Sequence, residues 1–132
     1  MSVIVGYLSS ERGKKALELG IAEARLRKTS LVVVHSMHGA GKDEDDDVIR
    51  SDRDLDALEA RLAGENIPFS VHNYVRGNEP AQDVIQAAHE LDGELIVIAL
   101  RQRTSAGKFL LGSNAHDILM NAPCPVLTVL AE

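Results

Sequence analysis

The chain has 132 residues, enough for one domain with a real core. Apolar residues make up 45%, which excludes a disordered polymer. Fourteen Lys and Arg against twenty Asp and Glu give a net charge of −6, a field that disfavours nucleic acid and anionic membranes as partners.

"VIV" at Val3–Val5 reads as a short buried strand, after which Ser9 or Ser10 is placed to cap a helix. In that helix Leu17, Gly20, Ile21 and Ala24 share one face at the i, i+3, i+4, i+7 spacing. "LVVVH" from Leu31 is a second strand, apolar throughout. "HGAGKDEDDD" reads as a loop with an acidic run from Asp43 to Asp47. Contiguous acids lack the spaced oxygens and turn glycine of a calcium loop, so the run reads as a solvated loop or as favourable charge at the start of the second helix. Leu55, Leu58 and Leu62 mark that second helix, which Gly64 ends.

In "FSVHNYV", Phe69, Val71, Asn73 and Val75 alternate with Ser70, His72 and Tyr74. Alternation predicts a strand covered on one face and therefore near a sheet edge. Asn78 is the expected cap of a third helix with Pro80 in its first turn, and Ala81, Val84, Ala88 and Leu91 are its expected inner face. "LIVIAL" from Leu95 is the most continuously apolar strand and belongs at the centre. A fourth helix is expected to turn Ala115, Ile118, Leu119 and Ala122 inward before Pro123 stops it, and "VLTVL" from Val126 is the last strand. Strands separated by helices favour a parallel sheet with right-handed crossovers.

Between the fourth strand and fourth helix lies "LRQRTSAGKFLLGSNAHDI". It carries Arg101, Arg103 and Lys108, and no acid occurs from Leu95 to His116. A basic, glycine-bearing loop leading into a helix start suits an anion, because the helix offers free N–H groups and guanidinium groups grip phosphate bidentately.

The other reactive side chains lack partners for chemistry. His35, His38, His72, His89 and His116 show no helical metal spacing, and no metal site is expected. Ser113 follows a glycine but lacks the rest of the Gly-x-Ser-x-Gly nucleophile elbow. Cys124, the single cysteine, sits between two prolines and reads as a packing residue; a chain with one cysteine has no disulfide framework, which points to a reducing compartment. "MSVIVGYL" lacks signal-peptide character, no apolar run is long enough to span a bilayer, and a cytoplasmic location is expected.

The order of these signals resembles the universal stress protein family over the whole chain. The residues that carry the resemblance are "VIVGYLSSERGKKAL", "VVVHS", Gly112-Ser113, and Cys124-Pro125-Val126 before the last strand. The resemblance implies one α/β domain over residues 1–132, an open five-stranded parallel sheet of order 3-2-1-4-5 with helices on both faces. Its ligand crevice would lie at the carboxyl ends of the first and fourth strands, where the order reverses. Nucleotide-binding members carry Gly, two residues, Gly, nine residues, Gly, then Ser or Thr. Counting back from Gly112, Gln102 and Ala99 stand at the first two glycines, and Leu8 stands where such members carry an Asp.

The expected phosphate end is therefore Arg101, Arg103, Gly112, Ser113 and Asn114. The expected base and sugar end is Tyr7, Leu8, Ser9, His35, Ser36 and Leu100. The resemblance implies a stress-response regulatory module, not an enzyme, binding ATP, AMP, cyclic AMP or another phosphate-bearing molecule, with no resident cofactor. A second reading is a dimeric interaction protein whose crevice has lost nucleotide. A slow nucleotide hydrolase is the weakest reading, since no general base or metal ligand is positioned. Family members commonly dimerise through the last strand. Here Val126–Leu130 is apolar on both faces with Thr128 its only polar residue, and an edge so unprotected calls for a second subunit.

Overall fold

The computed structural model describes residues 1–7, 11–36, 44–74, 79–101 and 112–131. Strands and helices alternate: β1 (Ser2–Gly6), α1 (Glu11–Arg27), β2 (Ser30–Ser36), α2 (Glu44–Ala63), β3 (Phe69–Tyr74), α3 (Pro80–Glu90), β4 (Gly93–Arg101), α4 (Ser113–Asn121) and β5 (Val126–Ala131). The strands form one sheet in the order β3-β2-β1-β4-β5, and every neighbouring pair is parallel.

Period-two alternation divides the core between the two sheet faces. Val3, Val5, Leu31, Val33, Leu95 and Val97 pack against Leu17, Ile21 and Ala24 of α1 and Leu55, Leu58 and Leu62 of α2. Ile4, Val32, Val34, Ile96 and Ile98 pack on the other face against Ala81, Val84 and Ala88 of α3 and Ile118 of α4. A strand buried on both faces must be apolar at consecutive positions, which is why β1, β2 and β4 read as unbroken hydrophobic runs. β3 is an edge strand: Phe69 and Val71 lean on the α1/α2 core, while on its other side Ser70 Oγ lies 3.1 Å from His72 Nε2.

Gly20 sets how closely α1 approaches the sheet. A Cβ placed there would lie 2.2 Å from Val5 Cγ2, a distance no carbon pair sustains. Arg25 and Arg61 tie the bottom of this layer together through Glu65, and Arg61 also pairs with Glu18.

Of the two readings of the acidic run, charge at a helix start holds: α2 begins at Glu44, so the backbone of Glu44–Asp47 is already helical, where carboxylates favour the positive end of the helix. Three expectations are corrected. The N-cap of α3 is Glu79 rather than Asn78, because Pro80 occupies N1 and fixes the cap one residue before it; Asn78 itself lies outside the described residues. Leu91 is the C-cap of α3, off the helical phase, and is exposed instead of joining the inner face. Leu119 is also largely exposed: α4 lies at the margin of the sheet and fully buries only Ile118, with Ala115 and Ala122 packed beside it. The caps expected at Ser9 and Ser10 and the residues His38, Gly107 and Lys108 lie outside the described residues.

Candidate functional site

At the carboxyl ends of β1 and β4, where the strand order reverses, a cleft of about 150 Å³ opens between the starts of α3 and α4. That is room for one flat ring; an apolar cavity of this size accepts benzene. Gly6 and Tyr7 follow from β1, Val34 comes from β2, Ile98 and Ala99 from β4, and Pro80 and Val84 from α3. Asn114, Ala115 and Ile118 of α4 and Gly13 of α1 complete the lining. The floor is thus the aliphatic end of the sheet, and Asn114 is the side-chain amide on its rim.

Tyr7 reaches the cleft because its N–H donates to Val34 O at 2.9 Å, which carries the chain past the end of β1 while keeping it against β2. Its ring is buried and lies 6.2 Å from the ring of His35, tilted by 50°. His35 is thus a ring neighbour of Tyr7 and is not among the residues that line the cleft.

Two helix N-termini border the cleft, and they differ. In α3, Pro80 has no N–H. The Ala81 N–H donates to Asn114 Oδ1 at 3.2 Å, and the N–H groups of Gln82 and Asp83 donate to Glu79 O at 3.0 and 3.4 Å. Asp83 is an acid in the first turn, buried to 1% exposure. The positive end of α3 is thus answered from within the protein.

Among the described residues, nothing answers the start of α4 in this way. Its N-cap is Gly112, which has no side chain to donate or accept, and its first turn holds no acid. His116 is the first residue whose N–H closes a helical turn, onto Gly112 O at 2.9 Å. The N–H groups of Ser113, Asn114 and Ala115 precede it and have no acceptor within the helix. Ser113 is exposed at this end.

Of the expected phosphate-end residues, the structure brings Asn114 to the cleft and sets Gly112 and Ser113 at the opening of α4. Arg101 is the last residue of β4, in register with Ala131 of β5; its side chain, and all of Arg103, lie outside what is described. Of the base and sugar end, Tyr7 lines the cleft. Leu100 is buried in the α3/α4 core and does not line it. Ser36 ends β2 with its side chain outside what is described, and Leu8, Ser9 and Gln102 lie wholly outside. Gly13, Pro80 and Val84 line the cleft but were not read from the sequence as site residues; the signal for that role is the topology, which turns the starts of α1 and α3 toward the switch point.

Cys124 packs half-buried against the α3/α4 core, and burial pushes its thiol above the ordinary range, away from the reactive thiolate. Among the described residues, no group of three or more His, Cys, Asp or Glu is placed to hold a metal ion. No helix among them is long and apolar enough to cross a membrane.

A doubly wound parallel sheet with a cleft at its switch point and a glycine-capped helix opening onto it defines an α/β ligand-binding class. Residues 1–129 match the model of the universal stress protein family. A universal stress protein of Mycolicibacterium smegmatis is 35% identical over 127 residues, covering 96% of this chain and 95% of the relative. The solved structure of a universal stress protein from Archaeoglobus fulgidus superposes with a TM-score of 0.82 at 35% identity, over 98% of both chains. A universal stress protein from the same organism, solved in complex with dAMP, superposes with a TM-score of 0.76 at 32% identity, over 98% of this chain and 97% of that one. The chain belongs to the universal stress protein family.

Proposed function

We propose that this chain is a small cytoplasmic regulatory module of stress physiology. It binds an adenine nucleotide or another phosphate-bearing small molecule between β1 and β4. The observation that carries the reading is the pairing of an apolar slot with the open, acid-free start of α4 at the switch point. An anion belongs at the amides of Ser113, Asn114 and Ala115, and a flat ring belongs against Pro80, Val84, Val34 and Ile98. Arg101 and Arg103 supply the positive charge that replaces the backbone approach lost at Ala99 and Gln102. Tyr7, beside His35, forms the ring end with Leu8, Ser9, Ser36 and the flank near Leu100. The relative solved in complex with dAMP supports a nucleotide as the ligand. Binding, not turnover, is the proposed activity.

The same protein is proposed to act as a homodimer through Val126–Leu130. β5 is an edge, and Leu130 stands 53% exposed on it. The second reading, a dimeric interaction protein without nucleotide, is favoured by Leu8 at the position that carries Asp in nucleotide-binding members.

Calorimetric titration with ATP, AMP and cyclic AMP separates the two. One well-placed charge-assisted contact is worth roughly 1.5–3 kcal/mol, so Arg101→Glu with Arg103→Glu should weaken the preferred nucleotide by about a hundredfold or more. Undiminished affinity in that double variant would remove the arginines from the site. No measurable heat with any of the three nucleotides would favour the interaction protein.

A further inference from the structure

The N–H donors at the start of α3 give Asn114 a role that a phosphate contact does not cover. α3 has no side-chain cap of its own: Glu79 makes no capping hydrogen bond, and Pro80 gives no N–H. The acceptor for the first available N–H, that of Ala81, comes from a residue 33 positions away on another helix. An N–H can be accepted only by the oxygen of a carboxamide, so this contact fixes which way the Asn114 amide lies. Oδ1 is committed to α3, and Nδ2 is what remains for the cleft that Asn114 lines.

We infer that Asn114 is a positioning residue that braces the starts of α3 and α4 across the cleft and presents to the ligand a donor only. The brace holds the apolar wall of Pro80 and Val84 at a set distance from the open amides of α4, so the slot is formed before a ligand arrives. The fixed polarity selects: the ligand atom facing Nδ2 must accept a hydrogen bond, as a phosphate oxygen, ribose oxygen or ring nitrogen does. An ammonium group at that point, which can only donate, would meet a second donor. This selectivity rests on the nucleotide reading above; the brace itself does not.

Two variants test it, each read by two measurements: hydrogen exchange at the Ala81 amide by NMR in the ligand-free protein, and AMP affinity by calorimetry. Asn114→Ala removes the acceptor, and exchange at Ala81 should speed up by about fivefold, as for loss of an N-cap. AMP should bind about fivefold or more weakly, as for one lost hydrogen bond. Asn114→Asp keeps an oxygen for Ala81 but replaces the donor with a negative oxygen. Ala81 protection should persist while AMP affinity falls by about tenfold or more, as for a charged partner turned repulsive.

An aspartate variant that binds AMP as tightly as the wild type overturns the selective role. Unchanged Ala81 exchange in Asn114→Ala overturns the brace. Should the wild-type protein bind no AMP, the nucleotide reading and the selectivity fall together, and the exchange measurement alone decides the brace, in favour if Ala81 loses protection and against if it does not.

Discussion

Gly20 shows how one residue sets a whole layer. Its missing Cβ lets α1 settle on Val5. Gly20→Ala brings two opposed effects: better helix propensity, worth about 1 kcal/mol, and a steric overlap in a core where overpacking costs typically 1–3 kcal/mol. An approach of 2.2 Å against a fully buried strand residue makes the overlap prevail. Denaturant unfolding should show a net loss of up to about 2 kcal/mol, and a gain would mean that α1 lifts from the sheet without penalty. Gly20 was visible in the sequence as part of the helix face, although not as a contact point. Asp83 and the oxygen of Asn114 were not visible at all. A carboxylate in an exposed-looking helix pattern is read as outward, and a hydrogen bond spanning 33 residues leaves no local mark. Burial of Asp83 and the contact of Asn114 both depend on tertiary packing, which no local pattern carries.

At the scale of elements, periodicity worked wherever burial was two-sided or the helix face was wide. β1, β2 and β4 are apolar at successive residues because a helix layer covers each face. β3 alternates because it is an edge, as its pattern implied. The misplacements of Leu91 and Leu119 have one physical source. A hydrophobic residue at a helical spacing is buried only if a neighbour stands opposite it, and helix ends and marginal helices lack neighbours. The end of α1 offers a separate test. Lys28 follows the last helical turn with φ 55°, the left-handed region where a Cβ is unfavourable. Its N–H donates to Arg25 O at 3.2 Å. Lys28→Gly should therefore stabilise the fold by about 0.5–1 kcal/mol in thermal or denaturant unfolding, and destabilisation would show that the lysine side chain contributes more than its backbone strain costs.

For the molecule as a whole, the strand order and the position of the cleft follow from the alternation of elements and the family resemblance. The chemistry of the cleft follows less well, since it depends on which atoms of α3 and α4 face one another. An open β5 edge predicts self-association. Sedimentation at micromolar concentration should give a dimer, and Leu130→Asp, which puts a charge in the edge, should shift it to monomer. A wild-type monomer at that concentration would leave the β5 edge without its partner. The proposed site is a small positive opening on a molecule of net charge −6. Its most direct measurement is calorimetric titration of AMP into the wild-type protein at low and high salt. The expected result is saturable binding of one nucleotide per chain that weakens as salt screens the anion. Absence of binding, or an affinity indifferent to salt, would contradict a phosphate seated at the start of α4.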